Sequence, residues 1–252
     1  MKLLSVAIIT LNEEKNLDRT LASIHSLADE IIIVDSGSTD KTQEVAEKYG
    51  ATFIKQEWLG YGKQRNLAFS HCTGKWILCI DADEVVSETL YNNINQIINS
   101  DLEEKIFEIN RKAFCFNKLI KYGDWANSYA IRLFQRGCGL FDEKEVHESF
   151  ITDCNIRKLD KNSYLLHYSY NSVFDYLERF NKYTTLSANE LAKSGKNAKN
   201  SKMVFSPIFS FLKSYIFKLG FLDGVVGFVI SVLSAIYPLV KYFKLREIRQ
   251  QN

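Results

Sequence analysis

The sequence predicts an α/β fold: a mostly parallel sheet, a mixed extension of that sheet, and apolar helices at the C-terminal end. Three observations carry the prediction. Short apolar runs rich in β-branched residues alternate with amphipathic stretches through the first hundred residues, the pattern of a sheet covered on both faces by helices. Each of these runs ends in a polar cluster. Beyond residue 192 the composition turns basic and then apolar.

Residues 3–10 (LLSVAIIT) read as a buried strand. Asn12 then offers an N-cap, with Glu13 and Glu14 in the first turn of a helix whose apolar face is Leu17, Leu21, Ile24 and Leu27. Residues 30–35 (EIIIVD) form a second buried strand. Asp40 caps a second helix, which stops at Gly50, the residue type favoured just past a helix end. Residues 51–54 are a short third strand, 60–69 a loop leading into a helix, and 76–80 (WILCI) a fourth buried strand ending at Asp81. Ser87 opens a helix through Ile98. Residues 105–116, 131–135 and 164–168 read as strands of a mixed extension. Residues 172–192 form a helix with apolar spacing through Phe174, Leu177, Phe180, Tyr183 and Leu186. The domain reading is a catalytic domain over 1–192, divided into 1–100, 101–170 and the helix 171–192. A basic linker follows over 193–203, and a membrane-associating helical tail over 204–252.

The chain has 252 residues, 46% hydrophobic and 25% charged, an ordinary globular composition with room for a sizeable core. Its net charge of +2 is unevenly spread: residues 182–252 carry eleven Lys and Arg against three Asp and Glu. An acidic front and a basic, apolar tail suggest two different tasks. The five cysteines (72, 79, 115, 138 and 154) form no CxxC pair and no zinc-ligand spacing, so they read as reduced thiols of a cytoplasmic protein. The first apolar run is too short for a signal peptide.

In open α/β sheets, ligands bind beyond the carboxyl ends of the strands. The polar clusters 10–13, 35–40 and 81–84 fall there. Asp81-Ala82-Asp83 follows a buried strand, and two carboxylates at i and i+2 can share a hard divalent cation, Mg²⁺ or Mn²⁺, whose shell phosphate oxygens complete. Asp35, at the end of the second strand, is a candidate for a nucleoside, with Ser38 in the turn that Gly37 permits. The loop 60–66 (GYGKQRN) combines glycines with Lys63 and Arg65, which suit a diphosphate, and with Asn66. No GxGxxG follows the first strand, which argues against a dinucleotide-binding dehydrogenase. The tail interleaves its charge with bulky aliphatics, which argues against a nucleic-acid partner, and none is expected.

Four stretches together resemble the family 2 glycosyltransferases with the GT-A nucleotide-diphospho-sugar transferase fold: SVAIITLNEEKNL (5–17), IIIVDSGSTDKT (31–42), GKQRNLA (62–68) and GKWILCIDADE (74–84). The resemblance implies a UDP-sugar donor held by Thr10, Asn12, Glu13, Asp35, Ser38, Lys63, Arg65, Asn66 and Asp81, with the metal at Asp83 beside Asp81. Further stretches are similar to the lipopolysaccharide inner-core glycosyltransferases of the WaaE/KdtX type: 123–137, the Val-His-Glu triplet at 146–148, 165–170, 176–191 and 220–245. This chain has Asn127-Ser128-Tyr129 where that group often has Tyr-Pro-Asp. The similarity implies inverting transfer of a hexose, typically glucose from UDP-glucose, to a core sugar.

Inversion requires a base that deprotonates the acceptor hydroxyl as it attacks. The 142–148 stretch supplies Glu145, His147 and Glu148. Glu148 is assigned as base and His147 as a sugar or acceptor contact, while Trp125 and Arg132 are second-tier candidates for the acceptor and His167 is a further second-tier candidate. Two other readings remain open at this point: transfer to a polyprenyl-linked acceptor, and a nucleotide-binding scaffold without turnover. Residues 221–243 are long enough to span a bilayer, but Gly224, Gly227 and Pro238 interrupt them and lysines flank both ends. A hairpin half-embedded at the cytoplasmic face of the plasma membrane is preferred, peripheral or monotopic, with the oligomeric state open. A soluble helical subdomain is the alternative.

Overall fold

The computed structural model describes residues 2–143, 148–170, 172–197 and 200–251. Contacts divide the chain into two compact units, Met1–Arg111 with Ser128–Tyr168, and Lys112–Asn127 with Ser169–Asn252.

The first unit begins with the expected alternation: β1 (Leu4–Thr10), α1 (Glu14–Ile24), β2 (Glu30–Asp35), α2 (Thr42–Lys48), β3 (Thr52–Lys55), α3 (Tyr61–Ser70), β4 (Trp76–Asp81), β5 (Glu84–Val86) and α4 (Glu88–Ile98). β6 (Ile106–Cys115) follows and runs into the second unit, which holds the two-residue β7 (Lys118–Leu119). The first unit resumes with β8 (Ser128–Gln135), β9 (Leu140–Phe141), β10 (Phe150–Ile151), β11 (Ile156–Lys158) and most of β12 (Tyr164–Tyr170). The sheet order is β3-β2-β1-β4-β8-β6-β12-β5. The β3-β2-β1-β4 half is parallel, in register Ile8 with Ile33 and with Ile80. β8 then joins β4 antiparallel, and β6 joins β8 antiparallel. This is the mixed extension read from the sequence.

β1, β2 and β4 are apolar on both faces because both faces are covered. Val6, Ile8, Ile33 and Leu78 pack with Leu17 and Leu21 of α1 and with Leu90 and Ile94 of α4. Their neighbours Ala7, Ile32, Ile77 and Cys79 point the other way, onto Ala68 and Phe69 of α3. Ser87 caps α4 by accepting from the Leu90 N–H, as expected. Asn12 is a correction. It does not cap α1, whose helical bonds start from Glu13; it adopts a left-handed φ of 56° and its Oδ1 accepts from the Thr39 N–H at 2.8 Å. Asn tolerates that conformation, and its side chain joins the two strand-end loops instead. Asp40 sits between two helix starts, accepting from the N–H of Thr42 at 3.0 Å and of Glu14 at 3.1 Å.

The second unit is mainly helical: α5 (Val173–Lys193), α6 (Asn200–Leu212) extended by a π-turn over Lys213–Phe217, a 3-10 turn over Gly220–Asp223, and α7 (Gly224–Gln251). α5 therefore groups with the tail. Among the described residues, one helix, Gly220–Gln250, is by length and composition able to cross a membrane, and only 28% of its most apolar stretch is buried.

Candidate active site

Three loops meet beyond the carboxyl ends of β1, β2 and β4. Asp35 ends β2 and is 1% exposed. Its Oδ2 accepts from the hydroxyls of Thr10 at 2.8 Å and Ser38 at 2.5 Å, and its Oδ1 from the N–H groups of Gly37 and Ser38. Gly37 makes that turn at φ 98°, a region that disfavours side chains. Thr10, Asp35 and Ser38 thus form one unit, with Asn12 attached through its own N–H, which donates to the Ser38 hydroxyl. Glu13 accepts from the Asn16 amide.

The DADE turn after β4 is fixed by both backbone and side chains. The Thr20 hydroxyl of α1 donates to the Ala82 carbonyl at 2.7 Å, and the Tyr168 N–H donates to the Asp83 carbonyl at 2.9 Å. Glu84, fully buried, accepts from the Asp81 N–H through one oxygen, and from Arg111 Nε and Arg132 Nη2 through the other.

Around Asp81 the charges form a chain. Asp81 meets Arg132 at 2.6 Å, Arg65 at 2.8 Å and Arg111 at 3.4 Å. Burial alone would push its carboxyl up, but Arg132, Arg65 and Arg111 outweigh burial and hold it well below the usual carboxylate range. The other nitrogen fork of Arg65 reaches Glu148, so this one guanidinium bridges Asp81 and the carboxylate assigned as base. Burial works against the charge of Arg65, but Asp81 and Glu148 outweigh it and raise its pKa. Arg65 and Arg132 each keep a buried Nε–H without a hydrogen-bond partner, a donor reserve suited to an anionic ligand.

Asp83 is 6% exposed, and its Oδ2 lies 3.4 Å from Nε2 of His167 on β12. The Asp83 carboxylate is a hard oxygen donor that suits Mn²⁺ or Mg²⁺ completed by phosphate oxygens, while the His167 ring nitrogens also lie 3.3 and 3.4 Å from Arg111 Nη2. Asp81, surrounded by guanidinium groups, suits a cation less well. Among the described residues no group of three or more His, Cys, Asp or Glu is placed to hold a metal ion.

The remaining candidates are distributed as follows. Asn66 uses its side-chain amide at both ends on the Phe141 backbone, at 2.9 and 3.0 Å, fastening α3 to β9. Lys63 meets Glu143 at 3.0 Å with both side chains largely exposed, a pair worth little. Trp125 belongs to the second unit, where its ring packs on Tyr170 and Tyr176. His147 and Glu145 lie outside the described residues. Arg111 and the pivot role of Glu84 were not read from the sequence. The available signal was an arginine in the middle of a buried strand, which demands a carboxylate partner.

A family model described as glycosyl transferase family 2 matches residues 5–101. An uncharacterized glycosyltransferase of Rickettsia typhi is 32% identical, covering 98% of this chain and 88% of the relative. The chain belongs to glycosyltransferase family 2. The lipopolysaccharide core biosynthesis glycosyltransferase LpsC of Rhizobium meliloti is 31% identical to this glycosyltransferase, over 96% of this chain and 91% of that one. The crystal structure of S. aureus TarS 1-349 in complex with UDP-GlcNAc aligns over 100% of this glycosyltransferase and 93% of that chain, at TM-score 0.50 and 14% identity. Its fold is the GT-A fold.

Proposed function

We propose that this glycosyltransferase moves a hexose, glucose from UDP-glucose, to the saccharide of a lipid-linked acceptor of the lipopolysaccharide inner-core type, with inversion at the anomeric carbon. The observation that carries the reading is the row of charges beyond β4: Asp83 beside His167, then Asp81 among three arginines, then Glu148 on the far side of Arg65. Such a row sets guanidinium groups, which suit the charge of a diphosphate, between a carboxylate that can hold a cation and a second carboxylate that can take a proton from a hydroxyl.

The Thr10–Asp35–Ser38 unit receives the nucleoside, and Arg65 meets the diphosphate through its unpaired Nε–H. Asp83, with His167 beside it, would hold a divalent cation, Mg²⁺ or Mn²⁺, which would offset charge developing on the departing UDP. Asp81 keeps the arginines in place. Glu148 takes the proton from the acceptor hydroxyl as the oxygen attacks. LpsC, named for lipopolysaccharide core biosynthesis, supports the acceptor class. The exposed apolar helices of the second unit support contact with the cytoplasmic face of the inner membrane, where such an acceptor is presented.

The test is UDP release from UDP-glucose with a deacylated core acceptor, comparing wild type with Glu148→Gln. Loss of a general base lowers turnover about 10²–10⁴-fold with UDP binding retained. Turnover within a few-fold of wild type removes Glu148 from the role.

A further inference from the structure

Most of the exposed apolar surface lies in one stretch of the second unit. Of twenty-six large apolar side chains exposed among the described residues, fifteen fall between Val204 and Phe243, so the exposure is local and not the scattered background of a soluble surface. On α6, Phe205, Ile208, Phe209 and Leu212, followed by Ile216 in the π-turn, recur at three- and four-residue steps and mark one stripe. On α7, Ile236, Leu239 and Phe243 repeat the spacing. The two helices run antiparallel, joined by Ser214 with Ser231 at 3.2 Å and by Ser210 with the Ser234 carbonyl at 3.4 Å. Ile208 and Leu212 from one stripe and Ile236 and Leu239 from the other line a groove of about 330 Å³ between them.

Most charges bordering this surface are cationic; Asp223, within the stretch, is buried and accepts from the N–H groups of Lys121 and Tyr122. Lys213 and Lys218 are paired with Asp124, and Lys244 is held by Asn181, Thr184 and Thr185 of α5. Lys202 stands in the first turn of α6, and Lys241 lies well inside α7, over the rings of Tyr237 and Tyr242 at 5.7 and 5.1 Å. Neither makes an ion pair among the described residues, and the charged neighbour acting on Lys241 is Lys202, another cation. Two ammonium groups beside an apolar groove complement an anionic headgroup above acyl chains.

The other side of α7 fixes the orientation. The Tyr176 hydroxyl donates to the Leu233 carbonyl, Ser187 meets the Tyr237 hydroxyl at 3.0 Å, and Arg249 donates to the Ala192 carbonyl at 2.9 Å. α7 is thus fastened to α5 from Leu233 to Arg249. α5 carries Asp175, Glu178, Arg179, Lys182, Glu190 and Lys193. If α7 crossed a bilayer, these charges would be drawn into hydrocarbon, where ionised side chains are costly.

We infer that the α6–α7 pair lies in the plane of an anionic lipid surface, its Phe205–Ile216 stripe and groove in the acyl layer and Lys202 with Lys241 at the phosphates, and that α7 does not cross the bilayer. This rests on the membrane contact proposed above and gives it an orientation and a lipid class. The test is flotation of the full chain, carrying a C-terminal epitope, with phosphatidylcholine vesicles with and without phosphatidylglycerol. Flotation with phosphatidylglycerol vesicles that weakens with salt is expected. Lys202→Ala and Lys241→Ala each weaken it about fivefold, Phe209→Glu abolishes it, and external protease removes the epitope. Protection of the epitope overturns the in-plane orientation. Equal binding to neutral vesicles overturns the anionic-lipid assignment, and flotation that survives Phe209→Glu overturns the seating of the α6 stripe in the acyl layer. Failure to float while the chain sedimentates as a dimer assigns the face to a second copy and also overturns it. UDP binding in the vesicle-free samples separates this from the transferase reading: vesicle binding without UDP binding sinks that reading alone.

Discussion

Arg132→Met tests whether the charge chain around Asp81 is a structural unit. Arg132 is 3% exposed and meets Asp81 at 2.6 Å and Glu84, itself fully buried, at 3.0 Å. Methionine keeps comparable bulk and removes the charge. Breaking a buried ionic arrangement by deleting one partner costs about 3–5 kcal/mol, because the other charge is left uncompensated. Here Arg111 still reaches Glu84 and Arg65 still reaches Asp81, which places the expected loss at the lower end, about 3 kcal/mol. At this chain length that corresponds to a melting point lower by about 6–12 °C. The sign of the pH dependence follows from Asp81. Its folded pKa is held low mainly by Arg132 against the effect of burial, so its stabilisation is present above the ordinary carboxylate pKa and is lost as pH falls below that range. The gap between variant and wild type is therefore widest near neutrality and narrows below about pH 4. Urea denaturation followed by circular dichroism, across that range, measures both quantities. A loss under about 0.5 kcal/mol at pH 7, the scale of an ordinary surface substitution, would refute the reasoning, as would a loss that does not change with pH.

Two further outcomes follow from other places in the fold. Glu30 accepts from Lys2, Ser5 and Thr73; burial opposes its charge, but these bonds prevail and lower its pKa from 4.5 to about 2. Its contribution, discounted for solvent screening, is complete above pH 4.5 and lost as pH falls to about 2, so Glu30→Gln destabilises at pH 7 and converges with wild type in acid; parallel curves in an acid titration of stability would refute this. Gly62→Ala would bring a Cβ to 2.0 Å from the Asp142 carbonyl oxygen, displacing the β9–β10 pair just beyond which Glu148 lies. The expected result is a loss of about 1–3 kcal/mol and reduced turnover with UDP affinity nearly kept; unchanged turnover would separate this packing from the acceptor side.

The sheet was legible because its signals are local. Runs such as 30–35 and 76–80 bury both faces, and their polar ends fall beyond the carboxyl ends of the strands, where open α/β sheets bind ligands. Asp35, Thr10 and Ser38 were singled out on the same ground, and the structure bonds them to one another. What was not legible depends on partners far away in sequence. Arg111 meets Glu84 across 27 positions and Arg65 meets Glu148 across 83, and no spacing rule predicts such pairs. Asn12 reads locally as a helix cap, but its partner Thr39 on the next strand-end loop draws it into the left-handed conformation. Asn66 lies in a stretch that suggested a ligand contact, yet its amide fastens α3 to the Phe141 backbone, a use set by the later placement of β9. The tail's apolar content was plain; its fastening to α5 through Tyr176, Ser187 and Ala192 required the packed helices.

The most direct test of the central claim, that the loops beyond β1, β2 and β4 bind a nucleoside diphosphate with a cation at Asp83, is calorimetric titration with UDP and GDP, each with and without Mn²⁺, on wild type and Asp83→Ala. The account predicts that UDP binds in preference to GDP, that Mn²⁺ strengthens the binding, and that Asp83→Ala removes the strengthening while the fold is kept. UDP binding that is indifferent to Mn²⁺ and to Asp83, or no UDP binding under any of these conditions, would contradict it.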